Sequence, residues 1–216
     1  MQNALVMVLV AVLIASTASF VVMGLSQRRR TWRLARRAHE MGMRFSADDP
    51  FDVPNRYAAF ALIGGGHSPR ASNVTYGHVE GSSLRAFDFR CELGHGTRRL
   101  SRHYGVIVAE VGRPAPEVLM WHRLDAQFAP LAGRIADGAV GPWRVAGDAG
   151  LAAALGRACQ TLADQPVSVQ AAGNSIMFCV PIRRRRQDYL TYFQKVLGVL
   201  RAMRQAPADA DQPTCR

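Results

Sequence analysis

Lysine is almost absent from this 216-residue chain: Lys195 stands alone beside 26 arginines. Any mechanism that needs a lysine therefore has a single candidate. Cysteine is scarce as well. Cys91, Cys159, Cys179 and Cys215 show no CxxC and no paired spacing, which argues against a disulfide framework or a zinc knuckle. Three of them sit in apolar surroundings, where a free cysteine packs as a small hydrophobe. His39-Glu40 begins like the HExxH zinc signature, but position 43 is methionine. There is no GxSxG nucleophile motif. The stretch GGGHSPRASN (64–73) lacks the lysine and hydroxyl of a phosphate-binding loop and breaks GxGxxG with Pro69. It reads as a flexible connection, and no cofactor motif stands elsewhere.

Charge is missing from the start of the chain. Ala4 to Leu25 is a run of 22 residues without a charged side chain. As a helix it would reach about 33 Å, against roughly 30 Å of bilayer hydrocarbon. A cleaved signal peptide would carry a basic n-region and a shorter apolar core, whereas Met1-Gln2-Asn3 is uncharged. The run is expected to remain as a transmembrane anchor. Ala11, Ala15 and Ser19 fall four apart on one face and would permit a close helix–helix approach, a dimer seam, although ordinary small residues in a lipid-facing helix are the favoured account.

The net charge of +11 suggests nucleic acid until it is located. Arg28, Arg29, Arg30, Arg33, Arg36 and Arg37 carry six of those charges directly behind the apolar run, and Arg183, Arg184, Arg185 and Arg186 carry four more. The second block is not interleaved with aromatics in the manner of a nucleic-acid surface, and the rest of the chain is near neutral. Arginines beside a membrane span stay on the cytoplasmic side, which places the N-terminus outside and the bulk of the chain in the cytoplasm. With Trp32 at the interface, both blocks are expected to contact anionic lipid headgroups, although Arg183 to Arg186 read first as an ordinary solvated charge run.

The remainder reads as an α+β domain. FSADDPFDVPN (45–55) is a linker or capped turn, with Asp48 and Asp49 explained as caps. In SLRAFDFRCE, Phe87, Phe89 and Cys91 alternate with Asp88, Arg90 and Glu92, the period-two pattern of a strand with one buried face. Residues 73–79, 103–111 and 117–123 read as further strands, so that an antiparallel meander is expected. Leu151, Leu155, Ala158 and Leu162 have helical spacing. Residues 167–171 and 175–180 flank Gly173-Asn174 as a hairpin. Tyr189, Phe193, Val196, Leu200 and Met203 line one face of a last helix, with Lys195 off that face. Helices covering one sheet face complete the expected fold. The organisation is an anchor (1–26), a basic juxtamembrane helix (27–45), a cytoplasmic α+β domain (46–206) and a tail (207–216).

His78, His95, His103 and Cys91 fall on or between neighbouring strands, but Cys91-x3-His95 is not a ligand spacing and no orienting partners accompany it. At Asn73-Val74…Gly77…Phe87-Asp88-Phe89, behind an anchor and a basic segment, the chain resembles bacterial single-pass membrane proteins with a cytoplasmic α+β domain of unknown function. The resemblance spans most of residues 28–205. It implies a bacterial inner-membrane location and transfers no catalytic residue. The function expected is a membrane-anchored interaction or scaffolding domain. The alternative is a membrane-tethered enzyme or small-ligand sensor built on the meander, which a polar pocket joining His78, His103 and Asp88 would favour.

Overall fold

A computed structural model describes residues 2–94, 96, 99–125, 128, 133, 135–182 and 189–205. The Arg183–Arg186 block and the tail lie outside them. The chain begins with one unbroken helix, α1 (Gln2–Glu40), 39 residues and about 58 Å long. Among the described residues it is the one helix long and apolar enough to cross a membrane. Its apolar side chains from Leu9 to Leu25 are exposed, whereas Leu34 and Ala38 are fully buried. Two hydroxyls within the apolar stretch are satisfied internally, since Ser16 and Thr17 both donate to the Leu13 carbonyl at 2.9 Å. Polar groups without water need such partners.

The rest is α+β, as the patterning implied: among the described residues, nine strands form one sheet, every pair antiparallel. In chain order they are β1 (Arg44–Ser46), β2 (His67–Val79), β3 (Ser82–Leu93), β4 (Leu100–Glu110), β5 (Val118–His122), β6 (Gly138–Val140), β7 (Trp143–Gly147), β8 (Ser168–Ala172) and β9 (Ser175–Pro181). Their spatial order is β1-β2-β3-β4-β9-β8-β5-β7-β6. β2, β3 and β4 are the first three strands of the expected meander, and β1, which takes in the start of the stretch read as a linker, is added at the edge beside β2. β5 does not continue the meander, because the β8–β9 hairpin is inserted between β4 and β5. The connection from β4 to β5 passes the hairpin tip, where Val111 and Ala115 donate their amides to Asn174 and Gly173 at 2.7 and 2.8 Å. GGGHSPRASN is not a flexible connection: from His67 onward it is β2, paired with β3. Gly66 is there for space, since a Cβ would lie 2.8 Å from that of Cys91.

Both faces of the sheet are covered, where the sequence suggested one. One face carries the C-terminal part of α1, α4 (Ala149–Ala158) with its following 3-10 turn (Cys159–Leu162), and α5 (Leu190–Gln205). The other carries α2 (Val53–Arg56) and α3 (Ala61–Gly64), with Val53, Tyr57, Phe60 and Leu62 packed on Phe87, Phe89 and Val106. The alternation on β3 explains the mismatch. Leu84 and Ala86 belong to the first face and are buried. Asp88, Arg90 and Glu92 continue that same face, so the apolar–polar alternation is confined to the half of the strand where the helical cover thins.

Asp148 caps α4 by accepting from the Leu151 amide at 2.6 Å, and the stripe Tyr189, Phe193, Val196 and Leu200 is buried while Lys195 is exposed. The entry to α5 depends on Gly105, whose added Cβ would lie 3.0 Å from the Tyr189 Cβ and 3.2 Å from its Cα. A Gly105→Val chain is expected to lose about 1–3 kcal/mol through overpacking, read as a lower urea midpoint at unchanged m-value.

Candidate functional site

The polar groups that converge most tightly lie where α1 meets the sheet. β2 is bulged between Ser72 and Thr75, and Asn73 occupies the left-handed region with φ 51, a conformation asparagine tolerates better than most residues. The bulge turns Asn73 inward, to 5% exposure. All its polar groups are then used. The amide donates to the Ala47 carbonyl at 2.8 Å and Nδ2 donates to Asp88 Oδ2 at 2.8 Å. Oδ1 accepts from the Thr31 hydroxyl at 3.0 Å, and the backbone carbonyl accepts from the Tyr189 hydroxyl. The Tyr189 hydroxyl also meets the Thr75 hydroxyl at 2.9 Å.

Asp88 is held from the other side by Arg30. Nη2 donates to Oδ1 at 2.7 Å and Nη1 donates to Oδ2, a bidentate fork. The two side chains are 19% and 13% exposed. Such charge-assisted, planar pairs are about twice as strong as neutral hydrogen bonds and fix orientation as well as distance. Opposite Asp88 on β4 stands Gly105, whose missing side chain leaves the room that Tyr189 occupies. One constellation thereby joins α1, β2, β3 and the entry to α5.

The expected collar divides accordingly. Arg28, Arg29, Trp32, Arg33, Arg36 and Arg37 are exposed, with Trp32 at 75%, and Arg36 reaches Glu40 at 3.5 Å. Arg30 faces the sheet and belongs to the clamp. Ala11, Ala15 and Ser19 are exposed on their helix face. His78 is not brought to Asp88: it pairs with Ser83, five residues away along β3. His103 does lie near Asp88. Partial burial of its ring, then the Arg90 guanidinium, lower its pKa from 6.5 against the pull of Asp88. His95 lies outside the described residues, and among those described no three His, Cys, Asp or Glu side chains are grouped to hold a metal.

Cys91 packs with the core phenylalanines, and burial pushes its thiol up to about 11 despite Arg102. Burial likewise pushes Cys159 up to about 12. Neither is a thiolate nucleophile near neutral pH. A second polar cluster pins α2 to the opposite face. Glu110 accepts from Arg85 and from Arg56 Nη2, the latter at 3.2 Å, while Arg85 also donates to the Tyr57 hydroxyl at 3.0 Å and lies over the Phe51 ring. Burial would raise the Glu110 pKa, but the two guanidiniums outweigh it and hold the carboxyl below 4.5.

The clamp was not foreseen from sequence. Its signal was Asp88 between two core phenylalanines, an acid on a strand with no assigned partner. Arg30→Gln and Asp88→Asn are each expected to cost about 2–3 kcal/mol, and the double variant clearly less than their sum, measured by denaturation in a two-residue cycle. His103 gives a pH dependence of fixed sign. Its folded pKa is lowered, so the unfolded chain takes up the proton first, and stability falls as pH drops through 6.5 towards the lower folded value. Denaturation midpoints between pH 7.5 and roughly 5 should show that decline, flattened in His103→Gln.

No family model and no curated protein matches the chain. Among solved structures it is similar to the mycobacterial trehalose monomycolate transport factor A, TtfA, with TM-score 0.52 and 17% identity over 84% of this chain and 93% of that one. At that identity the likeness is one of fold.

Proposed function

We propose that the chain is a single-pass membrane protein of the bacterial inner membrane whose α+β domain, held on the cytoplasmic face, acts as an accessory binding or scaffolding factor in a membrane transport process. The observation that carries this reading is the continuity of α1. Its exposed apolar stretch passes without interruption into a segment that is locked to the sheet through Arg30, Asp88 and Asn73. A domain built that way is held in one attitude relative to its anchor. The arginines behind the apolar run favour the cytoplasmic side for the domain. The exposed members of the collar, with Trp32, suit contact with anionic headgroups. The fold likeness to a protein named as a transport factor supports the role.

Binding is favoured over catalysis because Asp88, the carboxylate whose charge acts on His103, is committed to Arg30 and Asn73. A catalytic pair of His103 and Asp88 would need that carboxylate free for substrate.

A reporter fused after residue 205 should be active only when its activity requires the cytoplasm; activity confined to the periplasm would overturn the orientation. Affinity purification of the intact protein from membranes should recover a stoichiometric membrane partner. Recovery should fall in Arg30→Gln while the chain stays in the membrane fraction. Full recovery with that variant would show that the fixed attitude of the domain is irrelevant to its role.

A further inference from the structure

Two residues beyond Asp88 on β3, the sheet carries a row of basic side chains. Arg70 on β2 stands directly opposite Arg90 on β3, and Arg90 directly opposite His103 on β4. All three are exposed. They share the face of Asp88, because opposed residues point the same way and Arg90 follows Asp88 by two. Like charges directly opposite on adjacent strands weaken a sheet. The nearby acids do not relieve them: Asp88 is held by Arg30 and Asn73, and Glu92 pairs with Arg99 at 3.6 Å. Arg90 Nε donates to the Ser101 hydroxyl at 2.9 Å, and among the described residues neither Arg70 nor Arg90 has a carboxylate partner.

The position of the row along α1 indicates which kind of anion would suit it. Thr31 meets Asn73, and Met43 just after the helix lies against Gly77, so α1 runs in the direction of β2 and against β3. From Asp88 to Arg90 is about 7 Å along the strand. From Arg30 back to Leu25 is about 7.5 Å along the helix. The row therefore stands level with the last residue of the apolar run, at the height where headgroup phosphates lie if α1 spans a bilayer.

We propose that Arg70, Arg90 and His103 form a binding site for the phosphate of an anionic lipid headgroup at the membrane surface beside α1. This rests on the membrane reading above and adds to it a built site on the sheet, separate from the helix collar. The two guanidiniums offer planar donor pairs matched to phosphate oxygens, and the imidazole adds a ring N–H. The lowered pKa of His103, due to partial burial and then to Arg90, fits a row that repels a further proton until an anion arrives. The recognised group is a phosphate, which free phosphate also presents, so the test separates the two sources.

The full-length chain in detergent is analysed by native mass spectrometry with phosphatidylglycerol, with phosphatidylcholine and with inorganic phosphate as competitor. It should retain phosphatidylglycerol about tenfold over phosphatidylcholine. Millimolar phosphate should not displace it. The variant carrying Arg70→Gln, Arg90→Gln and His103→Gln should lose most of the preference, and its Tm in lipid-free detergent should be no lower than that of the unsubstituted chain, because opposed like charges are removed. An undiminished preference in the variant would overturn the proposal. Displacement by free phosphate would make this a soluble-anion site, and a sharp fall in Tm would make the row structural; either result overturns it. Extraction of the chain from membranes by alkaline carbonate would sink the anchor reading alone, since lipid retention in detergent does not depend on it.

Discussion

The bidentate pair of Arg30 with Asp88 decides where the long helix stops being an independent rod and becomes part of the domain. Beyond it, Leu34 and Ala38 supply the apolar burial, and a fully buried leucine contributes about 2–3 kcal/mol. Apolar contact alone tolerates sliding and rotation of a helix on a sheet. The fork between guanidinium and carboxylate does not, because two parallel hydrogen bonds fix both distance and plane. Asn73 extends the constraint sideways: its Oδ1 is bound to Thr31 of the helix and its Nδ2 to Asp88 of the sheet. Burial thus supplies the affinity of α1 for the sheet, and the polar net supplies its register.

The same net explains two local oddities. An asparagine at φ 51 in a long strand would be a strained residue without a purpose, yet the bulge is what directs Asn73 towards Asp88. A glycine in the middle of β4 would weaken an ordinary strand, yet Gly105 leaves the space through which Tyr189 reaches the Asn73 carbonyl. The sheet beyond is assembled from pieces distant in sequence. β4 and its neighbour β9 are separated in sequence by four strands that pair among themselves. The first four strands and the β5–β7 pair can each form from local contacts, and the β8–β9 hairpin joins them, with α5 sealing the shared face.

Period-two and helical spacing made β3, the β8–β9 hairpin and α5 legible, because each has a buried stripe that local chemistry enforces. The insertion of the hairpin between β4 and β5 was not legible, since a connection of a few residues fits adjacency and non-adjacency equally well. The second covered face was hidden because Asp88, Arg90 and Glu92 gave β3 a polar side that holds for only half its length. The clamp was hidden for a different reason. Arg30 has the same identity and neighbourhood as Arg28 and Arg29, and only the helix phase relative to a sheet some 40 residues later separates it from them. The anchor was legible as a helix able to cross a membrane; the masses of charge behind it were assigned to topology without any sign that one of them faces inward.

What the clamp does for function follows from what lies between it and the apolar run. From Leu25 to Glu40 the helix contains neither proline nor glycine, and sharp kinks almost always need one of these, a π-bulge or an inserted side chain. No hinge separates the span from the docked segment. A domain on a flexible tether samples many attitudes and pays to order itself when it binds; one continuous with its own anchor has that cost removed in advance. A freely diffusing soluble substrate would gain little from such a constraint. A partner embedded in the same bilayer would gain a great deal, because both surfaces would then share one plane and a narrow range of orientations. The rigid junction is thus the feature on which the proposed recognition within the membrane rests.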